Sequence, residues 1–194
     1  MAQYTDDELA GLIKNGNTAA FDCLIDRYYK GLFNFLLRML ANREDAEDAL
    51  QETFLRAAAG MEKYRMEGKF KSWLFAIANN LAVSEIRQRK RRKLLSPFKS
   101  DRNDAGYVNP VDYLPDESYE PARAAENKEL AGLLENAVSA LPFEQRQVFV
   151  LRHAAELSFK EISEALNIPV NTALGRMHYA MKKLKNALGD DLGT

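Results

Sequence analysis

Apolar residues recur along this chain of 194 residues at steps of three and four. That is the period of an amphipathic helix, not the alternation of a half-buried strand. Thr5-Asp6-Asp7-Glu8 reads as a capping box that opens a first helix, which Gly16-Asn17 ends. Thr18 is placed to cap a second helix, along which Phe21, Leu24, Ile25, Tyr28, Leu32, Phe35, Leu36 and Met39 form one stripe. Asn42 can cap a third, with Glu44, Asp45, Glu47 and Asp48 in its first turns, where the helix dipole favours acids. It runs to about Ala59 and stops near Gly60, and residues 61–69 read as a polar loop. A fourth helix carries Phe70, Trp73, Leu74, Ile77, Ala78 and Leu81 on one stripe and continues into a basic run ending at Lys93.

The pattern then lapses. "SPFKSDRNDAGYVNPVDYLPDESYEP" (residues 96–121) contains four of the six prolines and no sustained period, and is longer than a normal loop within a domain. It reads as a linker. Helical periodicity resumes from about Ala122 with Leu130, Leu133, Leu134, Ala137, Val138 and Leu141, and Pro142 breaks it. Residues 143–153 form another helix. Ser158-Phe159-Lys160-Glu161 is a second capping box, and its short helix ends at Leu166. Asn167-Ile168-Pro169 makes a turn into a last helix with its stripe at Ala173, Met177, Ala180, Leu184 and Leu188. The expected architecture is all-α: a domain over residues 1–95, a flexible acidic linker over 96–121, and a helix-turn-helix domain over 122–194.

Charge changes the picture through its distribution. The net charge of −1 argues against a nucleic-acid binder. Yet residues 69–93 hold eight bases against one acid, and residues 169–188 hold four bases and no acid. Between them, residues 96–129 have eight acids and four bases. Local patches set the field that a phosphate backbone meets. No apolar run reaches the length of a membrane span, and the first residues carry acids without an apolar signal core, so a cytoplasmic location is expected. The single cysteine, Cys23, lies in a helical apolar pattern and reads as packing; it permits no internal disulfide. One cysteine and two histidines are too few for a usual zinc site, so no metal or other cofactor is expected.

Three stretches carry candidate chemistry. With the stripe of the last helix buried, Thr172, Gly175, Arg176, Tyr179 and Lys183 face out, flanked by Asn171, His178 and Lys182. Asn, Arg and Thr can read base edges and Lys anchors phosphate, although a plain helical hairpin fits the same pattern. The fourth helix offers Phe75, Asn79, Ser84 and Arg87 on its outward side, after a loop with Tyr64 and Lys69. Aromatics interleaved with bases suit single-stranded nucleic acid; the alternative is a solvated basic tail. The acids of the third helix, continued by Gln51, Glu52 and Arg56, form either a solvated face or a contact for a basic protein partner. There is no nucleophile–base set and no paired carboxylates with metal logic, so no catalytic residue is assigned.

"REDAEDALQETFLRA" (residues 43–57), "FKSWLFAIANNLAVSEIRQRKRR" (70–92) and "LPFEQRQVFVLRHAAELSFKEISEALNIPVNTALGRMHYAMKKL" (141–184) resemble the extracytoplasmic-function, or ECF, group of the bacterial RNA polymerase sigma-70 family, in the family's order and spacing. The resemblance implies an alternative sigma factor that binds core RNA polymerase through its β and β′ subunits, recognises −10 and −35 promoter DNA, and initiates transcription without being an enzyme itself. It implies polymerase docking by Asp45, Asp48, Gln51, Glu52 and Leu55. Residues 64–72, with Tyr64 and Lys69, match the loop that captures a flipped −10 base. Phe75, Asn79, Asn80, Ser84 and Arg87 match the −10-facing helix. Asn171, Thr172, Arg176 and His178, with Lys182 and Lys183, match the −35-reading helix. An anti-sigma factor, which in this family can be membrane-bound, is the further partner implied, and no small-molecule substrate is.

The match has departures. Leu174 and Gly175 stand where relatives carry a basic residue and a small hydroxyl residue, Tyr179 and Met181 where arginines are frequent, and Asn79 where an arginine is common. Rival readings are a stand-alone DNA-binding regulator, which the 70–93 block argues against, a nucleic-acid enzyme, and a protein that sequesters another regulator.

Overall fold

The structure, a computed structural model, describes residues 4–95 and 121–191. These form α1 (Asp6–Lys14), α2 (Thr18–Leu40), α3 (Arg43–Gly60), a 3-10 turn (Met61–Lys63), α4 (Phe70–Leu95), α5 (Pro121–Ser139), α6 (Phe143–His153), α7 (Phe159–Leu166) and α8 (Val170–Asp191). There is no strand among the described residues. The all-α expectation holds, and the helix starts follow local chemistry. Thr5 and Ser158 each form a full capping box with the glutamate three residues on. Asn42 accepts from the Asp45 N–H at 3.0 Å. One cap differs: Asn17 precedes α2 without a side-chain bond, and Thr18 is already inside the helix. Asn167, left-handed at φ 52°, ends α7, and the Ile168 N–H returns to the Ser163 carbonyl at 3.0 Å. Pro169 follows at once, where a missing N–H costs nothing.

In the N-terminal half, α1 to α4 enclose Leu9, Leu24, Leu32, Phe35, Leu36, Phe70 and Leu74, all essentially buried. Helix α4 buries more than the expected stripe. Phe75 and Asn79, expected on the outward face, point inward: Phe75 is 1% exposed and meets the Phe35 ring edge-on at 5.9 Å. The cause is that α4 is covered on two sides, by α2 and α3 on one and by the C-terminal half on the other. The 61–69 segment is likewise not a wholly polar loop. Met61 and Tyr64 are buried, and the Tyr64 ring packs on Phe70 and Trp73 at 5.5 and 5.0 Å. Gly60 makes room for Trp73: a Cβ there would stand 3.0 Å from the indole.

In the C-terminal half, Val148, Leu151, Leu157, Ile162, Ala173, Ala180 and Leu184 form the core between α6, α7 and α8. The stripe expected on α5 is only partly inside. Val138 and Leu141 are buried, but Leu130 and Leu134 are exposed. Glu135 turns inward instead and forms a two-pronged pair with Arg38 of α2, the Arg38 Nε donating at 2.8 and 3.1 Å. That pair is one of several polar ties between the halves. Gln147 Nε2 donates to Asn79 Oδ1 at 2.6 Å in a buried contact. Ser72 Oγ donates to Glu164 at 3.1 Å, Lys69 pairs with the same carboxylate at 3.4 Å, and Lys71 donates to the Glu156 carbonyl at 3.1 Å. The two halves therefore pack together rather than only sharing a tether. The expected linker lies outside the described residues except for Pro121, which opens α5.

Two predictions follow from this packing. Phe75→Ala should cost roughly 3–5 kcal/mol, the usual loss for a core phenylalanine, and lower the melting temperature. Glu135→Ala strands the Arg38 guanidinium, a loss of about 3–5 kcal/mol if it stays buried. The chain has a cheaper escape, which is to separate the halves and hydrate Arg38. The expected result is a larger radius of gyration in X-ray scattering with far-ultraviolet helicity retained.

Candidate nucleic-acid and partner interfaces

Helix α3 has two faces of opposite character. Ala46, Leu50, Thr53 and Ala57 are buried against the bundle. On the other side Asp48, Gln51 and Leu55 are exposed and Glu52 is half-exposed, at steps of three, one and three along one face. Leu55 is 66% exposed in an otherwise polar row. Arg56 folds back onto Glu52 at 2.6 Å, an exposed pair one turn apart, so Glu52 is partly neutralised. Asp45 differs from the others. It is half-buried, and Arg89 of α4 holds its carboxylate.

Arg89 is a residue that sequence reasoning left within an undifferentiated basic run. Its guanidinium binds Asp45, donates to the Leu40 carbonyl at 3.0 Å and reaches Glu85 at 3.3 Å. It thereby joins the end of α2, the start of α3 and the basic end of α4. Arg92 also reaches Glu85, at 2.8 Å. Arg87, Lys90 and Arg91 stay exposed. With Asn80, Val83 and Ser84 they line an open, shallow concavity along α4. This surface has cations and neutral polar groups without an acid, which suits a phosphate backbone.

The remaining residues expected at this second surface are distributed differently. Phe75 belongs to the core, and Asn79 is spent on Gln147. Tyr64 is 6% exposed, and its hydroxyl donates to Asp7 at 2.7 Å. Burial, then the hydrogen bond to the Asp7 carboxylate, push that hydroxyl above its ordinary pKa, so it stays a neutral donor. Lys69 is exposed beside Glu67 and Glu164. The loop tip itself, Arg65, Met66 and Glu67, is exposed. Asp7 was legible only as a first-turn acid of a capped helix, and nothing in the local pattern marks its second role.

On α8, Asn171, Thr172, Leu174, His178, Tyr179, Lys182 and Lys183 are exposed, and Ala173, Ala180 and Leu184 are buried. Of the expected outward face, Thr172, Tyr179 and Lys183 are exposed, and Gly175 and Arg176 are half-buried. Arg176 is half-buried and donates to Glu144 of α6 at 2.9 Å. His178 and Tyr179 meet edge-on at 5.7 Å. Beyond the backbone of its own helix turn, a Cβ built on Gly175 meets open space among the described residues. Helix α7 lies before α8 across the 167–169 turn, which is the geometry of a helix-turn-helix. Among the described residues no cluster of His, Cys, Asp or Glu could hold a metal, and no helix is long and apolar enough to cross a membrane.

Comparison with known proteins places these surfaces in a family. Residues 24–92 match the model of sigma-70 region 2, and residues 131–184 match that of sigma-70 region 4. The chain is 34% identical over 180 residues to the ECF RNA polymerase sigma factor SigW of Bacillus subtilis, covering 92% of this chain and 94% of that one. It is 27% identical over 188 residues to the RNA polymerase sigma-H factor of Pseudomonas aeruginosa, covering 97% and 96%. The fold is similar to that of CnrH, solved in complex with the cytosolic domain of CnrY, with a TM-score of 0.68 at 22% identity over 96% of this chain and 98% of that one. It is also similar to the sigma factor RpoE of Bartonella quintana, solved with the anti-sigma factor NepR, with a TM-score of 0.65 at 21% identity over 87% and 96%. With region 2 carried by the N-terminal helices and region 4 by the helix-turn-helix, the chain belongs to the ECF sigma factors of the sigma-70 family and is an alternative sigma factor that initiates transcription.

Proposed function

We propose that the three surfaces divide the work of initiation, with core RNA polymerase on α3 and promoter DNA on α4 and α8. The observation that carries this reading is the exposed row Asp48, Gln51, Glu52 and Leu55, turned away from the core on a helix whose other face is buried. A solvated helix face gains nothing from a leucine 66% exposed at the end of its polar row. A protein contact does gain from it, because an apolar anchor within a charged rim combines affinity with register. Asp45 supports the row from behind through Arg89, which ties the docking helix to the basic helix.

The −10 element falls to Asn80, Ser84 and Arg87 on the open face of α4, with the 64–69 loop taking an unstacked base. Phe75 contributes as core and Asn79 only after Gln147 releases it. The −35 element, which stays double-stranded, falls to α8 through Asn171, Thr172, Arg176 and His178, with Lys182 and Lys183 on phosphates. The protein acts in the cytoplasm as a subunit and not as an enzyme. Its relatives by fold were solved with CnrY and with the anti-sigma factor NepR, which supports an anti-sigma factor as a further partner here.

Run-off transcription with purified core polymerase on genomic fragments tests the reading as a whole. Specific start sites are expected with the chain and none without it. In the same assay Asp48→Lys with Glu52→Lys should weaken core binding by roughly tenfold, about 1.4 kcal/mol, and the loss should shrink at high salt. Core affinity unchanged in a pull-down would sink the docking assignment. Gly175→Ala probes the third surface. With open space around the new methyl, the helix should gain up to about 1 kcal/mol, seen as a higher melting temperature. Binding of the full chain to a −35 duplex should then be at least as tight as before. Weaker binding despite the gain in stability would show that the α8 backbone packs directly on DNA.

A further inference from the structure

One face of α1 is built around the 64–69 loop. Asp7, Gly11 and Lys14 recur at steps of four and three, so they share that face. The two oxygens of Asp7 are both engaged. Oδ1 accepts from the Tyr64 hydroxyl and Oδ2 from the Gly68 backbone N–H, each at 2.7 Å. Lys14 Nζ donates to the Tyr64 carbonyl at 2.6 Å. At Gly11 a Cβ would stand 3.6 Å from Met66 Sδ, so the thioether lies against the helix at its narrowest point. Gly68 has φ +70°, a conformation that L side chains rarely adopt, and this turns its N–H towards Asp7. Between the two anchors the Glu67 N–H closes a three-residue turn onto the Arg65 carbonyl at 2.9 Å.

A single carboxylate thus holds both ends of a short exposed loop, leaving Arg65, Met66 and Glu67 at its tip. An acid in the first turn of α1 is explained by the helix dipole alone. A carboxylate with both oxygens committed to a loop more than fifty residues away is not. A flipped base arrives without its stacking partners, so its receptor gains most by being ordered beforehand. We propose that Asp7 is a positioning residue for promoter opening, fixing through Tyr64 and Gly68 the loop that receives an unstacked nucleobase of the −10 element. This rests on the reading that the 64–69 loop captures that base.

Tyr64 is the weaker of the two anchors to disturb, since its ring is also held by Phe70 and Trp73. The Gly68 N–H has Asp7 as its acceptor. Asp7→Ala removes both acceptors, whereas Asn can keep both contacts, its oxygen accepting from the Gly68 N–H and its NH2 donating to the Tyr64 hydroxyl. In Asp7→Ala the loop loses both ties to Asp7 while α1 keeps its capping box at Thr5 and Glu8.

The test uses the full chain with core polymerase and forked promoter DNA whose single-stranded −10 positions are varied one at a time through the four bases. In Asp7→Ala the preference for the best base over the worst at the captured position should fall roughly fivefold or more. Core affinity and −35 duplex binding should stay close to wild type, and the melting temperature should fall only slightly. Tyr64→Phe, which keeps the ring in place, should lower the preference in the same direction by less. Met66→Ala and Glu67→Ala at the tip report on the loop itself. If they leave base preference untouched, the base-capture reading fails and takes this proposal with it. If they alter it and Asp7→Ala does not, the positioning role alone is overturned. An equal loss for all four bases in Asp7→Ala, together with a large fall in melting temperature, makes Asp7 a structural residue only and also overturns it.

Discussion

Helix α4 has to be covered on more than one side, and the rest of the molecule is arranged around that requirement. Its Phe70, Leu74, Phe75 and Ala78 are buried in the N-terminal half. Its Ser72 and Asn79 are buried as well, and burying polar groups is costly unless each finds a partner. Asn79 takes its partner from the other half of the chain, Gln147, while the Ser72 hydroxyl has the Lys69 carbonyl of its own half at 3.0 Å and Glu164 of the other at 3.1 Å. The amide–amide bond at 2.6 Å makes the contact between the halves specific, because a slip of the register would leave both amides buried and unpaired. The basic part of α4 is free of this constraint and stays in solvent, with Arg87, Lys90 and Arg91 exposed.

Charge is separated on a small scale within the N-terminal half. The acids of α3 and the bases of α4 lie on adjoining helices, and at the junction one arginine neutralises one aspartate. That pair is about one-third exposed on each side, so its worth lies in geometry more than in stability. It joins α4 to α3, and so the basic surface to the acidic one. A net charge near zero conceals this division, which is why the overall charge says little about partners and the local runs say much.

The elements were legible because their signals are local. Two capping boxes, the Asn42 cap, Pro142, Pro169 and the left-handed Asn167 fix helix ends through atoms a few residues apart. The outward face of α8 was legible for a related reason: the helix is covered on one side, so the three-and-four stripe gives its orientation. The same rule misdirected Phe75 and Asn79, because α4 is covered on two sides and a period cannot count neighbours. On α5 the stripe over-counted, since Glu135 is drawn inward by Arg38 while Leu130 and Leu134 stay out. Asp7 and Arg89 were invisible for another reason. Their partners lie more than forty residues away, and residue type alone gives no bearing on a distant acceptor.

The contact between the halves has the chemistry of a joint that can part. Its named ties are an amide pair, a hydroxyl on a carboxylate, a lysine on the same carboxylate, a lysine on a carbonyl and an arginine–glutamate pair. Water can replace the partners in each of these, whereas it cannot replace the packing of Phe35 on Phe75 within one half. These polar ties therefore cost little to break relative to the apolar packing within either half. Glu164 has a particular place in this joint. Its carboxylate lies against Lys69 and Ser72, a cation and a hydroxyl donor that could equally meet a phosphate. Those two groups cannot serve the carboxylate and a promoter strand at once, and Asn79 cannot face DNA while Gln147 holds it. Under the proposed division of labour, any part that Lys69, Ser72 and Asn79 take in promoter binding is coupled to release of α6 and α7 from α4, whereas Asn80, Ser84 and Arg87 are open to DNA without it.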